Sequence, residues 1–420
     1  MSDSDSDRLR TELETQAPGQ WELYEKNAES LETDATPGER SSLLRRERGW
    51  AARWWADGAP RFACASSPEG LQRALTEASR VETARESPPD WPSATTPPRK
   101  LSAAVAAPAD VYAELDRLLA AESRGAARLQ KLTVRRGASA ERIMNGRGLD
   151  VSFSTALSDG VALAVGRKGP RVCEGRSVFR WDGEPDLAGL ARRLADRATL
   201  PLSDRPTPIQ RGELLLEPSV AAALLSRLAP LFSAEVLPRW VHRGQLTSPA
   251  VTIADDASAD ALYDGEGTAT RRVVVVEGGR LAGRLYDLRS ACASKAEPTG
   301  HGVRPSYQLA PCAGARRLFF ESASPAPPRE LLAAVRRGLF ASALTAPARL
   351  DFERDRFELE FTGIAVFGGR AEGPVAGALA RGRLSVLLRR ISALSADRQF
   401  FPMPYPVGAP TVLIERAEFE

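Results

Sequence analysis

The sequence predicts an α+β protein, with an N-terminal α/β domain followed by a β-rich C-terminal domain carrying a few helices. Three observations lead there. Amphipathic helical segments are concentrated before residue 205, in LQRALTEA, VYAELDRLLAA and DLAGLARRLADRA. Period-two patterning with glycine-bearing turns dominates from Ala250 onward. A proline-rich stretch, ETARESPPDWPSATTPPRK, divides the first half. The expected organisation is 1–81, an N-terminal α/β segment; 82–105, a linker or loop; 106–205, the second half of that domain; and 206–420, the β-rich domain.

In chain order, GWAARWWADGAPRFACASS alternates around Asp57-Gly58 and reads as a β-hairpin. Ser67-Pro68 supplies an N-cap and an N1 proline for a helix with Leu71 and Leu75 on one face. After the proline-rich stretch, a helix from Pro108 aligns Val111, Leu115, Leu118 and Leu119. Strands are expected from Leu129 to Arg180, then a helix from Asp186. LPLSDRPTPIQRG marks the boundary to the second half. Pro218 opens a helix with Val220, Leu224, Leu228 and Leu231 at helical spacing, and Pro230 ends it. RRVVVV and RLAGRLYD form a hairpin across Glu277-Gly278-Gly279. FELEFTGIAVFGG pairs with PVAGALARG, and RLSVLLRRISAL reads as a final helix burying Leu384, Leu387, Leu388, Ile391 and Leu394.

Composition narrows the function classes. The hydrophobic fraction of 43%, charged fraction of 26% and net charge of +3 describe a soluble globular protein with no basic block for nucleic acid. The start, MSDSDSDRLRTELE, has no apolar signal region, and no run approaches the ~20 apolar residues a membrane helix needs. Four cysteines, Cys64, Cys173, Cys292 and Cys312, occur without a C-x-x-C pair, so free thiols in a reducing cytoplasm are expected.

Catalytic motifs are thin. The two histidines, His242 and His301, stand far apart, with no H-E-x-x-H to preset a zinc site. No G-x-S-x-G elbow is present, and GEGTATRR lacks the lysine of a P-loop. Cys292 falls near a helix start that could stabilise a thiolate, or is a small buried residue. The tryptophans of GWAARWW suit a core or an interface equally. His301, in PTGHGVRPS, either meets a ligand or bonds to backbone.

From Tyr263, YDGEGTATRRVVVVEGGRLAGRLYDLRSACASKAEPTGHGVRP resembles the TldD/PmbA family. The matching positions are Asp264, Gly265, Gly267, Gly279, Leu281, Gly283, Leu285, Asp287, Ala291, Thr299, Gly300 and Arg304. The resemblance extends through LLAAVRRGL, taken as a helix, and FTGIAVFGGRAEGPVAGALARG, and more weakly to RGWAARWWADGAPRFACASS and NGRGLDVSF. It implies a TldD/PmbA-like fold. It also implies that the segment around Ser226 corresponds to the zinc-binding H-E-x-x-x-H helix of the TldD branch. Here Ser226 and Leu231 stand at the ligand positions and Arg227 at the catalytic glutamate, and the C-terminal Cys-Gly-Lys is absent. That is the pattern of the PmbA/TldE branch.

The resemblance therefore implies a non-catalytic subunit with no cofactor of its own. A TldD-like partner would supply zinc in a cytoplasmic heterodimer that cleaves unfolded or modified peptides. Whether the chain alone is an enzyme stays open. Asp264, Gly267, Thr268, His301 and Arg304 are expected to face the peptide groove or active site. The alternatives are a stand-alone peptide-binding or regulatory protein of the same fold, and a hydrolase using Cys292, Cys312 or His301.

Overall fold

A computed structural model describes residues 3–81, 83–93, 111–180, 185–203, 208–236, 238, 240–241 and 244–420. His242, residues 94–105 of the expected linker and 204–207 of the expected boundary lie outside them.

The N-terminal half is built on long antiparallel strands. Helix α1 (Asp3–Gln16) precedes β1 (Trp21–Thr36), β2 (Glu39–Ala56) and β3 (Ala59–Ala65). Helices α2 (Pro68–Ala78) and α3 (Val111–Glu122) follow, then β4 (Ala127–Asn145), β5 (Asp150–Lys168), β6 (Arg171–Arg180) and α4 (Leu187–Thr199). The strands form one sheet in the order β3-β2-β1-β4-β5-β6, so the segments on either side of the proline-rich stretch meet through β1 and β4. Local signals act as expected: Asp57 and Gly58 both take positive φ in the β2–β3 turn, and Ser67 Oγ accepts from Gly70 N to cap α2. Trp50, Trp54 and Trp55 are all core residues.

Three features differ from expectation. The acidic start forms α1, whose Leu9 and Leu13 pack beneath Trp21 and Trp54, so a polar helix is held by a narrow apolar stripe. The basic run RSSLLRRER lies in β2, and β1 was not foreseen, because charge alternation there hides the strand pattern. In the proline-rich stretch, Trp91 is buried against Trp55, with ring centroids 5.7 Å apart, and donates from Nε1 to Gln20.

The C-terminal half begins with β7 (Arg211–Leu216) and α5 (Pro218–Leu228). It continues with β8 (Thr252–Asp256), β9 (Arg272–Glu277), β10 (Arg280–Leu281), α6 (Leu288–Ser294), β11 (Gly302–Val303), β12 (Cys312–Ala313) and β13 (Leu318–Glu321). After α7 (Pro328–Ala334) come β14 (Arg337–Leu344), β15 (Arg349–Asp351), β16 (Arg356–Phe367) and β17 (Arg370–Arg383). The chain closes with α8 (Leu384–Arg389), β18 (Ile391–Leu394), β19 (Gln399–Pro402), β20 (Pro406–Ala409) and β21 (Val412–Glu418). One sheet runs β15-β16-β14-β7-β21-β18, with β17 on β16, and a second runs β10-β9-β8-β13-β20-β19. Helix α5 is buried on most of its circumference, its Val220, Leu224 and Leu228 joining one core with Val275, Phe320, Phe361 and Phe401. A helix apolar nearly all round belongs inside such a core.

Two helix expectations are corrected. RLSVLLRRISAL is not one helix: α8 ends at Arg389, and Ile391 and Leu394 are buried on β18, paired with β21. LLAAVRRGL likewise ends as helix at Ala334, and Arg337 starts β14 beside β16. In both, cross-strand pairing overrides a helix-like apolar spacing. Among the described residues no helix is long and apolar enough to cross a membrane.

Candidate functional site

The glycine-rich segment from Tyr263 wraps a buried charged junction between the two halves. Asp264 sits in a turn before β9 and accepts from the backbone N–H groups of Glu266, Thr268 and Gly302, at 2.8–2.9 Å. Glu266 accepts from Leu288 N at the start of α6, and its Oε1 lies 2.6 Å from Arg53 Nη2 on β2. Arg53 also pairs with Glu22 on β1, at 2.9 Å. Arg304 donates to Glu22 as well, and to the Gly265 carbonyl at 2.6 Å, with its guanidinium 4.5 Å from the Tyr24 ring centroid. Glycine is required where the backbone closes on these groups. Gly300, at φ +74°, would put a Cβ 2.4 Å from the Ala269 carbonyl oxygen.

Burial shifts the titration of this junction. Desolvation pushes Glu266 up to about 8, against the pull of Arg53 and with the push of the neighbouring Asp264, Asp287 and Glu22. Asp264 is raised too, again by burial first, although Arg316 and three backbone N–H groups favour its charged form.

Of the five residues expected to face a groove, Asp264 and His301 are fully enclosed and the Arg304 side chain is nearly so. Gly267 is buried against Leu149, and the half-buried Thr268 keeps an Oγ1 with no hydrogen-bond partner. Gly267, against Leu149, and Arg304, bonded to Glu22, thus join the two halves, while Asp264 and His301 are spent on bonds within the C-terminal half. His301 Nδ1 lies 2.9 Å from the Thr299 carbonyl and Nε2 3.1 Å from Asp255, so both ring nitrogens are engaged. It has no free nitrogen with which to activate a cysteine. Cys292 is exposed on α6, with its thiol 3.8 Å from the Pro88 carbonyl; Cys312 is exposed as well, and partial burial pushes its thiol up.

The open surface lies instead along α5. Its accessible stripe is Ala223, Ser226 and Arg227, spaced to share one helical face. Ala223 lines a cavity of about 520 Å³ between α5, β6 and the β14–β16–β17 ladder. One turn later, Arg227 lines a second, of about 670 Å³, with Arg349, Arg356 and Arg381. Sequence reasoning missed these cavities because their walls come from strands far apart in the chain. At the positions where the resemblance puts metal ligands, Leu231 is fully buried hydrocarbon, and the Ser226 carbonyl accepts from Tyr405. These side chains do not fit zinc, which takes imidazole, thiolate or carboxylate.

Comparisons with known proteins agree with this architecture. A family profile described as the PmbA/TldA metallopeptidase C-terminal domain matches residues 210–420. An uncharacterized protein of Methanocaldococcus jannaschii is 32% identical over 177 residues, covering 39% of this chain and 41% of that protein. The match thus spans about two fifths of that relative's length. Among solved structures, TldE from Thermococcus kodakarensis superposes with a TM-score of 0.84 at 19% identity over 99% of both chains. A Thermotoga maritima protein described as a candidate modulator of a DNA gyrase gives 0.82 at 18% identity over the whole of both chains. At these identities the structural likeness speaks for the fold.

Proposed function

This chain belongs to the PmbA/TldD family, and from that premise we propose that it is a non-catalytic, peptide-binding subunit of a metalloprotease. A TldD-like partner supplies the zinc and its activated water, and the pair cleaves unfolded or modified peptides in the cytoplasm. The observation that carries this reading is the helix α5. It keeps an accessible stripe flanked by two cavities, while the resemblance aligns Ser226, Arg227 and the following Leu231 with a zinc-binding motif. A helix that retains its groove without metal ligands is suited to holding substrate. The buried junction of Glu22, Arg53, Glu266 and Arg304 fixes the two halves that form the groove walls.

The test is co-expression with a zinc-bearing TldD-type protein, followed by copurification and peptide-cleavage assays. Cleavage is expected from the pair, abolished by chelator, and absent from this chain alone. Chelator-sensitive cleavage by the isolated chain would refute the assignment. Recovery of the chain without a partner, still binding peptide, would favour a stand-alone regulatory role.

A further inference from the structure

The cavity beside Ala223 has a construction that the sheet alone does not require. Three neighbouring strands break register at one level. β14 bulges at Ser342, between Ala341 and Ala343; β16 and β17 lose step between Phe361 and Gly363, leaving Thr362 opposite Ala376 and Gly377. Bulges re-aim side chains and end pairing locally, and they concentrate beside binding sites. Here they open a cavity of about 520 Å³, within the usual range of roughly 300–1,000 Å³ for small-ligand pockets.

Its frame is fixed before any ligand arrives. Arg197, half-buried on α4, donates to the carbonyls of Ser342 and Arg176 and to Ser219 Oγ, at 2.6–3.1 Å. That spends the guanidinium on holding the bulge open. Two kinds of group are left over. Thr362 is 2% exposed, lines the cavity, and its Oγ1 has no hydrogen-bond partner. A buried hydroxyl without a partner is destabilising, so a ligand amide or carboxylate that reaches it is favoured. Glu174 and Arg176, alternate residues of exposed strand β6, also line the cavity, and neither makes an ion pair with another described residue. Val178, Val220, Leu344 and Met403 give the cavity an apolar wall, with Thr345 and Cys173 also lining it.

We infer that this cavity binds a short peptide with free termini, a dipeptide with aliphatic side chains being the best fit. The Arg176 guanidinium holds the α-carboxylate and the Glu174 carboxylate holds the α-ammonium. Alternate residues on one strand face stand about 6.6 Å apart, close to the roughly 7 Å that two extended residues span. Thr362 Oγ1 meets the ligand's amide, and the apolar wall takes its side chains. The inference rests on the reading of the α5 face as peptide-binding, but every group comes from this chain, so its failure is distinguishable from failure of the proposed partnership, which copurification and cleavage test.

The experiment is calorimetric titration of the isolated full-length chain with L-leucyl-L-alanine, its N-acetyl form and its C-terminal amide. The free dipeptide is expected to bind and each capped form to bind about tenfold more weakly, the loss of one charge-assisted contact. Glu174→Gln should erase the preference for a free N-terminus and Arg176→Gln that for a free C-terminus. Both residues are exposed, so the variants should fold. Ala223→Phe, checked by circular dichroism, should abolish binding by filling the cavity. No binding at millimolar dipeptide, equal binding of free and capped forms, or full binding by the folded Ala223→Phe variant would each overturn the inference.

Discussion

Arg53 Nη2 on the N-terminal sheet lies 2.6 Å from Glu266 Oε1 in the C-terminal half, both side chains almost wholly removed from water. With Glu22 shared between Arg53 and Arg304, this contact ties the halves through charge in a low-dielectric interior. Such pairs are costly to break from one side, because the remaining charge has neither partner nor solvent.

Replacing Arg53 by Met leaves Glu266 without its cation, while Glu22 keeps Arg304. The expected loss is roughly 3–5 kcal/mol, the usual cost of orphaning one member of a buried pair. Urea unfolding of Arg53→Met against the parent at about pH 9, above the value of about 8 at which Glu266 ionises, measures it. A loss below about 1 kcal/mol, as for a surface pair, would show that the junction is hydrated in solution.

The same junction sets a pH dependence. Glu266 is raised from 4.5 to about 8 in the folded chain, first by burial. Between those values the folded state keeps a proton that the unfolded state releases, so the unfolded chain binds fewer protons and stability falls as pH rises. Melting temperature is expected to drop from pH 5 to pH 8, and Glu266→Gln should flatten that part of the curve. An identical slope in the variant would remove Glu266 as its source.

Two glycines with similar φ separate conformational strain from steric exclusion. Gly38, at φ +86°, has nothing within 4 Å of an added Cβ, whereas at Gly300, φ +74°, that atom meets the Ala269 carbonyl oxygen at 2.4 Å. Gly38→Ala should cost about 1 kcal/mol, the left-handed penalty. Gly300→Ala should cost a further ~1–3 kcal/mol, because backbone must move. Equal losses in chemical denaturation would mean that the 299–302 segment relaxes freely.

Trp91 tests whether the proline-rich stretch belongs to the core. It packs edge-on to Trp55 and lies under the Arg53 guanidinium, 4.9 Å from ring centroid to Cζ. Trp91→Ala should destabilise by about 3–5 kcal/mol, as for other buried aromatics. A near-neutral variant would return the segment to the status of a surface loop.

Legibility in the sequence followed the range of the interaction. The Asp57-Gly58 turn and the Ser67-Pro68 start of α2 were readable, because each is settled within a few residues. The α5 helix was also readable from Val220, Leu224 and Leu228. Of the site, the sequence marked Asp264, Gly267, Thr268, His301 and Arg304 as special, but their enclosure and the α5 cavities were not visible in it.

The sequence by itself determined the turns, caps and helix faces, and the family to which the chain belongs, since these reside in local chemistry and motif order. Only the tertiary structure decided that Ile391 and Leu394 lie on a strand, that Trp91 is core, and that Glu22 meets Arg304 across 282 positions of chain. Such outcomes depend on which distant strands pair and on where water is excluded. Neither is encoded in the spacing of neighbouring residues.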